Sequence, residues 1–345
     1  MSTEIVSTAP IAAQAADGEA RDRLTPEAIA ALRAAGDFAL AVPVEYGGRG
    51  ASTETILRRQ IEIGRADASA SWVVGVAVTS KTMAAAMATE ATKKELFADP
   101  DALICGSGRP DCGQGDGTTI TGAWPNVSGC EDAAWAGVAL MVNGVPHFAH
   151  VPLADLRIEK TWRVAGMRAT GSHTVVAEGL EVPDGRLVPF RPFAVNDALR
   201  FGLTVLGPVI GGARGALDTV RAMFGSGRKP FMTAYTSMGE SPGARHWLAE
   251  ATLLIERAER TALAVAAAAD GPEVSRGEMP RWHIEEATAA RDCRTAVDML
   301  LDLHGSSGFG TSNPLQRFWR DVAVGSRHPH LNPYLAVENF GKALV

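Results

Sequence analysis

Near the end of the chain two histidines stand one residue apart, in Arg327-His328-Pro329-His330-Leu331-Asn332-Pro333. Imidazole is the side chain whose ordinary pKa makes both protonation states accessible near neutral pH, so such a pair is equipped to bind a metal or to handle protons at a reacting centre. A metal is the weaker reading, because no carboxylate and no third histidine lies nearby in sequence. The other histidines are scattered, and His304 continues an apolar helical face, the place of a core histidine. Cys105, Cys112, Cys130 and Cys293 form no C-x-x-C pair. They fit neither a zinc site nor a disulfide framework, which points to a reduced, cytoplasmic protein. Three glycine-rich segments, Gly47-Gly48, Gly106-Ser107-Gly108 and Gly305-Ser306-Ser307-Gly308, read as turns ahead of phosphate cradles. There is no P-loop and no G-x-G-x-x-G opening a helix after a strand, so the chain shows no NAD(P)H fingerprint.

Composition narrows the classes further. The 345 residues carry 33 basic and 39 acidic side chains, a net charge of −6. A mildly acidic chain is a poor general binder of nucleic acid or of an anionic membrane. Hydrophobic residues at 46% and charged ones at 21% provide a globular core. No apolar run approaches the ~18 residues of a membrane span. Met1 to Asp17 are rich in Ala, Ser and Thr without a basic n-region, so residues 1–20 read as a frayed, disordered tail and not as a signal peptide.

The elements that must position these residues change texture twice. Thr25-Pro26-Glu27 is a helix start that Gly36 ends. A helix over roughly 53–64 and a long apolar one from about Ser69 to Thr89 follow. Between 101 and 192 the period shifts to two. The strand-like runs are Ala102–Ser107, Thr118–Trp124, Trp135–Val142, His147–Val151 and Thr174–Val182. From about 198 helical spacing returns, as in Leu206, Val209, Ile210, Ala213 and Leu217. The fold class is therefore α+β. A helical domain (21–100) precedes a small antiparallel β-barrel or sandwich (101–192), and an antiparallel helical bundle (193–345) follows.

In that order the motifs resemble the acyl-CoA dehydrogenase fold family, and within it the oxygenase components of two-component, reduced-flavin-dependent monooxygenases. The residues that carry the resemblance start with Val42-Pro43-x-x-Tyr46-Gly47-Gly48, Ser71-Trp72-Val73 and Thr121-Gly122-x-Trp124-x-x-x-Ser128-Gly129-Cys130-x-x-x-x-Trp135. They continue with Trp162-x-x-x-Gly166-Met167-Arg168-x-Thr170-Gly171-Ser172 and Val182-Pro183. The last run is Gly305-x-x-x-Phe309-x-x-x-Asn313-Pro314-Leu315-Gln316-Arg317-x-Trp319-Arg320-Asp321, followed by His328.

The resemblance implies a flavin, FMN or FAD, lying between the β domain and the bundle. Ser107 and Gly108 would approach the ring edge by their backbone, with Asn126, Val127 and Ser128 alongside and the Ser128 hydroxyl near flavin N5. A hydroxyl donates and accepts, so it can follow a nitrogen whose protonation changes. Arg228 and Phe231 would meet the phosphate or adenine end, usually of a neighbouring subunit, and Gly305 and Ser306 would approach the same tail. In many dehydrogenases of the family a Glu base follows the Arg-Asp pair by about eight residues. Here Val322 to Val337 holds no carboxylate, and His328 occupies that region as it does in the monooxygenases. His328 would help hold a C4a-hydroperoxyflavin or polarise the substrate, with His330 beside it. Trp72 and Thr79 would face the substrate, and Asp132 stands near a place where relatives carry a histidine.

The implied function is hydroxylation or N-oxidation of a small aromatic or natural-product-like molecule, using O2 and reduced flavin from a separate NAD(P)H:flavin reductase. A homotetramer, or else a dimer, is the implied assembly. Two alternatives stay open at this stage. One is oxidation of a CH–CH bond in an acyl thioester, and the other is a redox-silent binding or non-redox role.

Overall fold

Residues 9–20, expected from their composition to belong to the frayed tail, form with Arg21 a helix, α1 (Ala9–Arg21). Pro10 fits the first turn, and Ile11, Ala15 and Gly18, spaced four and three apart, bury one face. That face holds one large apolar residue, too sparse a stripe to read as a helix from sequence. The structure, a computed structural model, describes residues 6–345; the first five residues of the expected tail lie outside the described residues.

Thr25 accepts the amide of Ala28 and starts α2 (Pro26–Ala34) as its type demands. Next come α3 (Thr53–Ala66), α4 (Ala68–Met87) and α5 (Glu90–Leu96). The long apolar helix stops short of Thr89 because Thr89 caps α5, its hydroxyl accepting the amide of Thr92. Within α4, Lys81 is fully buried. Its Nζ donates to the carbonyls of Phe38 at 2.7 Å and Pro100 at 2.6 Å, which holds the two flanking loops on the helix.

Among the described residues eight strands make a single sheet. They are β1 (Ile104–Ser107), β2 (Gly113–Gly115), β3 (Thr119–Val127), β4 (Trp135–Val142), β5 (Val145–Pro152), β6 (Arg157–Glu159), β7 (His173–Glu181) and β8 (Leu187–Pro189). The order is β6-β7-β3-β2-β4-β5-β8, with β1 also on β4. The expected antiparallel barrel or sandwich is corrected to a mixed sheet, because β1 and β2 both run parallel to β4. A parallel neighbour needs a connection of about a dozen residues or more, and the stretch between Ser107 and Trp135 supplies it. Strand β2 escaped notice because Gly-Gln-Gly has no strand propensity. Its glycines serve packing instead: a Cβ at Gly113 would overlap the ring of Trp124. Trp124 is completely buried and donates its Nε1–H to the Ala139 carbonyl at 2.6 Å.

Five further helices follow: α6 (Val195–Gly225), α7 (Pro242–Ala269), α8 (Met279–His304), α9 (Pro314–Gly325) and α10 (Pro333–Ala343). Three of them start alike, with a capping side chain followed by proline at Ser241-Pro242, Asn313-Pro314 and Asn332-Pro333. Ser241 sits inside a G-x-S-x-G string, Gly239 to Gly243, but it follows a 3-10 turn and caps α7, so it is no nucleophile elbow. No described helix is long and apolar enough to cross a membrane.

The described chain packs as two units. One comprises the residues up to Ser52, Trp72–Val164 and Arg168–Asp197; the other comprises Thr53–Ser71, Ala165–Met167 and Ala198–Val345. The short piece Ala165–Met167 belongs with the helices of the second unit because α9 grips it. Arg320 donates to the Ala165 carbonyl, and the Met167 amide donates to Asp321 Oδ1. Met167 is thereby held at φ 53°, unusual for a side chain of its size. Gly166 lies against the α9 backbone, where a Cβ would overlap the Arg320 carbonyl. Gly166→Ala therefore destabilises the protein by about 1–3 kcal/mol, the usual cost of overpacking. Urea unfolding measures it, and an unchanged midpoint would mean that the 165–167 turn yields freely.

Candidate active site

In the first unit the chemistry gathers at the end of β3. The pairing of β3 with β7 slips between Trp124 and Val127, where Pro125 has no N–H to give the ladder. Asn126 takes the left-handed conformation, φ 61°, and is exposed, while Val127 turns back into the core. The bulge delivers Ser128 to a buried position, 6% exposed. Its Oγ lies 2.6 Å from Ser172 Oγ, which lies 2.7 Å from Thr170 Oγ1, a chain of three hydroxyls. Each hydroxyl both donates and accepts, so the direction of the whole chain reverses when a partner of Ser128 changes its protonation. Ser107 ends β1, half-buried. Gly108 follows it, exposed, with open space where a Cβ would stand.

Asp132 is not left free for a substrate. Arg23 grips it with two hydrogen bonds, Nε at 3.0 Å and Nη2 at 2.6 Å. The adjacent Glu131 receives Lys160 at 3.0 Å and His173 Nε2 at 3.2 Å. The Trp162 amide donates to His173 Nδ1 at 3.2 Å, so the imidazole proton sits on Nε2 and points at Glu131. Burial pushes the neighbouring Cys130 thiol up to about 11, which leaves it inert. Trp72 and Thr79 lie seven residues apart on α4, two turns along one face, with Val76 between them; all three are half-buried, and the residues between them are buried.

In the second unit Arg228, Gly305 and Ser306 meet at the end of α8. Arg228 donates to the His304 carbonyl at 2.7 Å and to Ser307 Oγ at 3.1 Å, and so caps the helix C-terminus with a cation. Gly305 has φ 73° and ψ −171°, a conformation open to glycine alone, again with clear space around it. Phe231, three residues past Arg228, is 91% exposed.

His328 and His330 flank the turn after α9. His328 Nδ1 accepts the His330 amide at 3.4 Å, which leaves the ring proton on Nε2. The two rings stack, 5.3 Å between centroids and 24° between planes. Burial, aided by His330, lowers His328 to about 4, and burial, aided by His283, lowers His330 to about 4. Both are neutral at pH 7. No metal-binding group of histidine, cysteine or carboxylate occurs among the described residues.

Two groups escaped the sequence reading. Lys81 is lowered to about 7 by burial. Glu286 on α8 is completely buried, and neither carboxyl oxygen has a hydrogen-bond partner. The sequence held a signal for Glu286, because it extends the apolar face Ala290, Cys293 and Val297 back by one turn.

Residues 5–99 match the acyl-CoA dehydrogenase N-terminal domain and residues 203–333 the acyl-CoA dehydrogenase C-terminal domain. The chain belongs to the acyl-CoA dehydrogenase fold family, in the group formed by the oxygenase components of flavin-dependent monooxygenases. It is 30% identical to the oxygenase component of FADH(2)-dependent resorcinol hydroxylase of Rhizobium sp. (strain MTP-10005), over 91% of this chain and 86% of that protein. It is 29% identical to the flavin-dependent monooxygenase oxygenase subunit HsaA of Rhodococcus jostii (strain RHA1), over 92% of this chain and 91% of that one. Among solved structures, XiaF from Streptomyces sp. in complex with FADH2 and glycerol superposes with a TM-score of 0.91 at 28% identity, covering 98% of this chain and 92% of that one.

The histidine pair makes the fold acid-sensitive. Both rings titrate lower when folded (about 4) than when unfolded (about 6.5). Between those values the unfolded chain binds more protons, so stability is full above pH 6.5 and falls as pH drops toward 4. The double variant His328→Gln, His330→Gln flattens this slope in urea unfolding at pH 4.5 and 7.5. A slope equal to the wild type's would assign the acid sensitivity to other groups.

Proposed function

We propose that this protein is the oxygenase component of a two-component monooxygenase that hydroxylates or N-oxidises a small aromatic molecule, using O2 and reduced flavin from a separate NAD(P)H:flavin reductase. FADH2 is the favoured form, since it is named for the resorcinol hydroxylase and bound in XiaF. The observation that carries the reading is His328. It lies where many dehydrogenases of the fold keep a carboxylate base, and its lowered pKa makes it too weak a base to take the α-proton of a thioester. Its neutral ring carries a donor, the Nε2–H, the kind of group that holds an oxygen atom or orients a hydroxyl.

The residues present fit a flavin. Gly108 and Gly305 leave clear space for a close approach, and the Ser128 hydroxyl chain offers a group that donates or accepts on demand. In this reading Ser107, Gly108, Asn126, Val127 and Ser128 serve the ring, and Arg228, Phe231, Gly305 and Ser306 serve the tail. When bound, reduced flavin supplies the electrons that split O2, one oxygen going to the substrate and the other to water. His328 donates a hydrogen bond beside the ring, and His330 backs it. Trp72 and Thr79 present an aromatic wall and a hydroxyl to the substrate, whereas Asp132 is committed to Arg23 and positions the loop after Ser128. The division into 21–100, 101–192 and 193–345 then separates a substrate-facing helical part, a ring-holding sheet and a tail-holding bundle.

The same reading assigns a homotetramer. Phe231, Met232, Tyr334 and Val337 are exposed at 91%, 89%, 74% and 56%, apolar side chains that further copies of this chain would cover. Light scattering at micromolar concentration is expected to give four times the 36.2 kDa of one chain; a monomeric mass would end this assignment.

Two variants separate the roles within the site. His328→Ala keeps reduced-flavin affinity within about twofold but uncouples the reaction: oxygen is still consumed, hydrogen peroxide rises, and product falls at least about tenfold. Arg228→Ala weakens reduced-flavin binding by about 1.5–3 kcal/mol, roughly ten- to a hundredfold. Single-turnover measurement of product against peroxide, with binding titrations, checks both. Unchanged coupling in the first variant moves the catalytic role away from His328. Unchanged affinity in the second leaves Arg228 a helix cap only.

A further inference from the structure

Among the described residues the Ser128 hydroxyl has a single hydrogen-bond partner, Ser172 Oγ at 2.6 Å. A serine oxygen carries one proton and two lone pairs, so one bond leaves part of that capacity unused. The residue is 6% exposed, and polar groups at that depth are ordinarily paired. The unused capacity lies at the end of the hydroxyl chain where the reading above puts flavin N5.

Behind Ser128 the chain can run either way. Ser172 Oγ stands between Ser128 Oγ and Thr170 Oγ1, 2.6 Å from one and 2.7 Å from the other, and in each contact either oxygen can donate. Ser172 and Thr170 are buried, so bulk water does not compete for them. Their turn is fastened to the bulge: Gly171 takes φ 51°, and the Thr170 carbonyl accepts the Gly129 amide at 2.8 Å. The two acids that follow Ser128 in the chain, Glu131 and Asp132, are engaged by Lys160, His173 and Arg23.

We propose that Ser172, backed by Thr170, sets the preference of the site for reduced over oxidised flavin, by accepting the Ser128 hydrogen bond whenever flavin N5 carries a hydrogen of its own. The inference rests on the function proposed above. The reduced isoalloxazine, anionic near neutral pH, bears a hydrogen on N5, whereas the oxidised ring offers only a lone pair there. Toward the oxidised ring Ser128 donates outward and accepts from Ser172. Toward the reduced ring Ser128 accepts from N5, turns its own O–H onto Ser172, and Ser172 turns its O–H onto Thr170. No covalent bond breaks; the hydroxyls rotate. Without Ser172 the outward arrangement lacks only a donor to one lone pair, but the inward one strands a buried O–H, which is the costlier loss. Ser172 is thus a positioning residue, acting on the flavin through Ser128.

Anaerobic binding titrations of the full-length protein with FADH2, oxidised FAD and reduced 5-deaza-FAD test the proposal without turnover. The variants are Ser172→Ala and the isosteric Thr170→Val, so the test stands if one of them fails to fold. Each is expected to weaken FADH2 by about tenfold and to leave oxidised FAD within about twofold. The midpoint potential of bound FAD then falls by about 30 mV, the equivalent of tenfold in a two-electron couple. Reduced 5-deaza-FAD has carbon in place of N5, so its affinity is expected to stay within about twofold of the wild type's. Equal losses for FADH2 and FAD mean that the two residues only hold the loop, and overturn the inference. A tenfold loss for the 5-deaza flavin means that they do not act through N5, and also overturns it. Unchanged FADH2 affinity in both variants overturns it while leaving the proposed function standing. Failure of the wild type to bind FADH2 overturns both.

Discussion

The hydrogen bond from the Met167 amide to Asp321 is the constraint on which much else depends. It holds a bulky residue in the left-handed conformation, and such a conformation persists only where the surroundings over-determine it. They do so here through Arg320 on the Ala165 carbonyl and through Gly166 against the α9 backbone. The clamp fixes α9, and α9 ends three residues before His328. Two motifs separated by about 150 positions, Gly166-Met167 and Arg320-Asp321, are therefore halves of one interaction. Their residue types follow from it: glycine for approach, arginine and aspartate for the backbone groups that the turn leaves unpaired.

The sheet solves a different problem, which is to bring one hydroxyl to a defined place. A regular β3 would continue to alternate and would pair with β7 to its end. Pro125 interrupts the ladder, Asn126 takes up the turn, and Ser128 arrives buried beside Ser172 and Thr170. Gly113 of β2 leaves room for Trp124 in the core just ahead of this point, so the bulge is anchored on its upstream side. On its downstream side Glu131 and Asp132 fasten the loop to Arg23, Lys160 and His173. Charges that look like substrate ligands in a linear reading are here the bolts of the loop, and the polar groups left for chemistry are uncharged.

The helical unit shows the same preference. His328 and His330 are neutral at physiological pH, and burial raises the Glu286 carboxyl well above the usual carboxylate range. A site that must receive an anionic, oxygen-reactive ring gains from having no resting anion and from holding hydrogen-bond donors whose orientation costs nothing at the moment of reaction. Arg228, a cation at the proposed tail site, is tied to the end of α8, where the helix dipole favours it.

Much was determined by sequence alone. Thr25-Pro26 started a helix because a capping hydroxyl and a proline act within four residues. Trp135–Val142 was read as a strand with its observed bounds, because alternation is a local property. The order of helices, sheet and helices, and the ordered motifs of the family, were legible for the same reason. Tertiary structure decided the rest. Helix α1 buries a face too poor in large residues to announce itself, and β2, a Gly-Gln-Gly stretch, becomes a strand only because Trp124 needs room. The parallel pairing on β4 depends on which strands meet, and alternation carries no such information. Asp132 reads as a free acid until Arg23, 109 positions away, is brought beside it. Glu286 continues an apolar helical face in the sequence, but its burial against Gly202 is a property of two helices packed together. Local patterns specify elements, because they act through backbone dihedrals and adjacent turns. What a titratable side chain does depends on desolvation and on its partners, and packing alone supplies both.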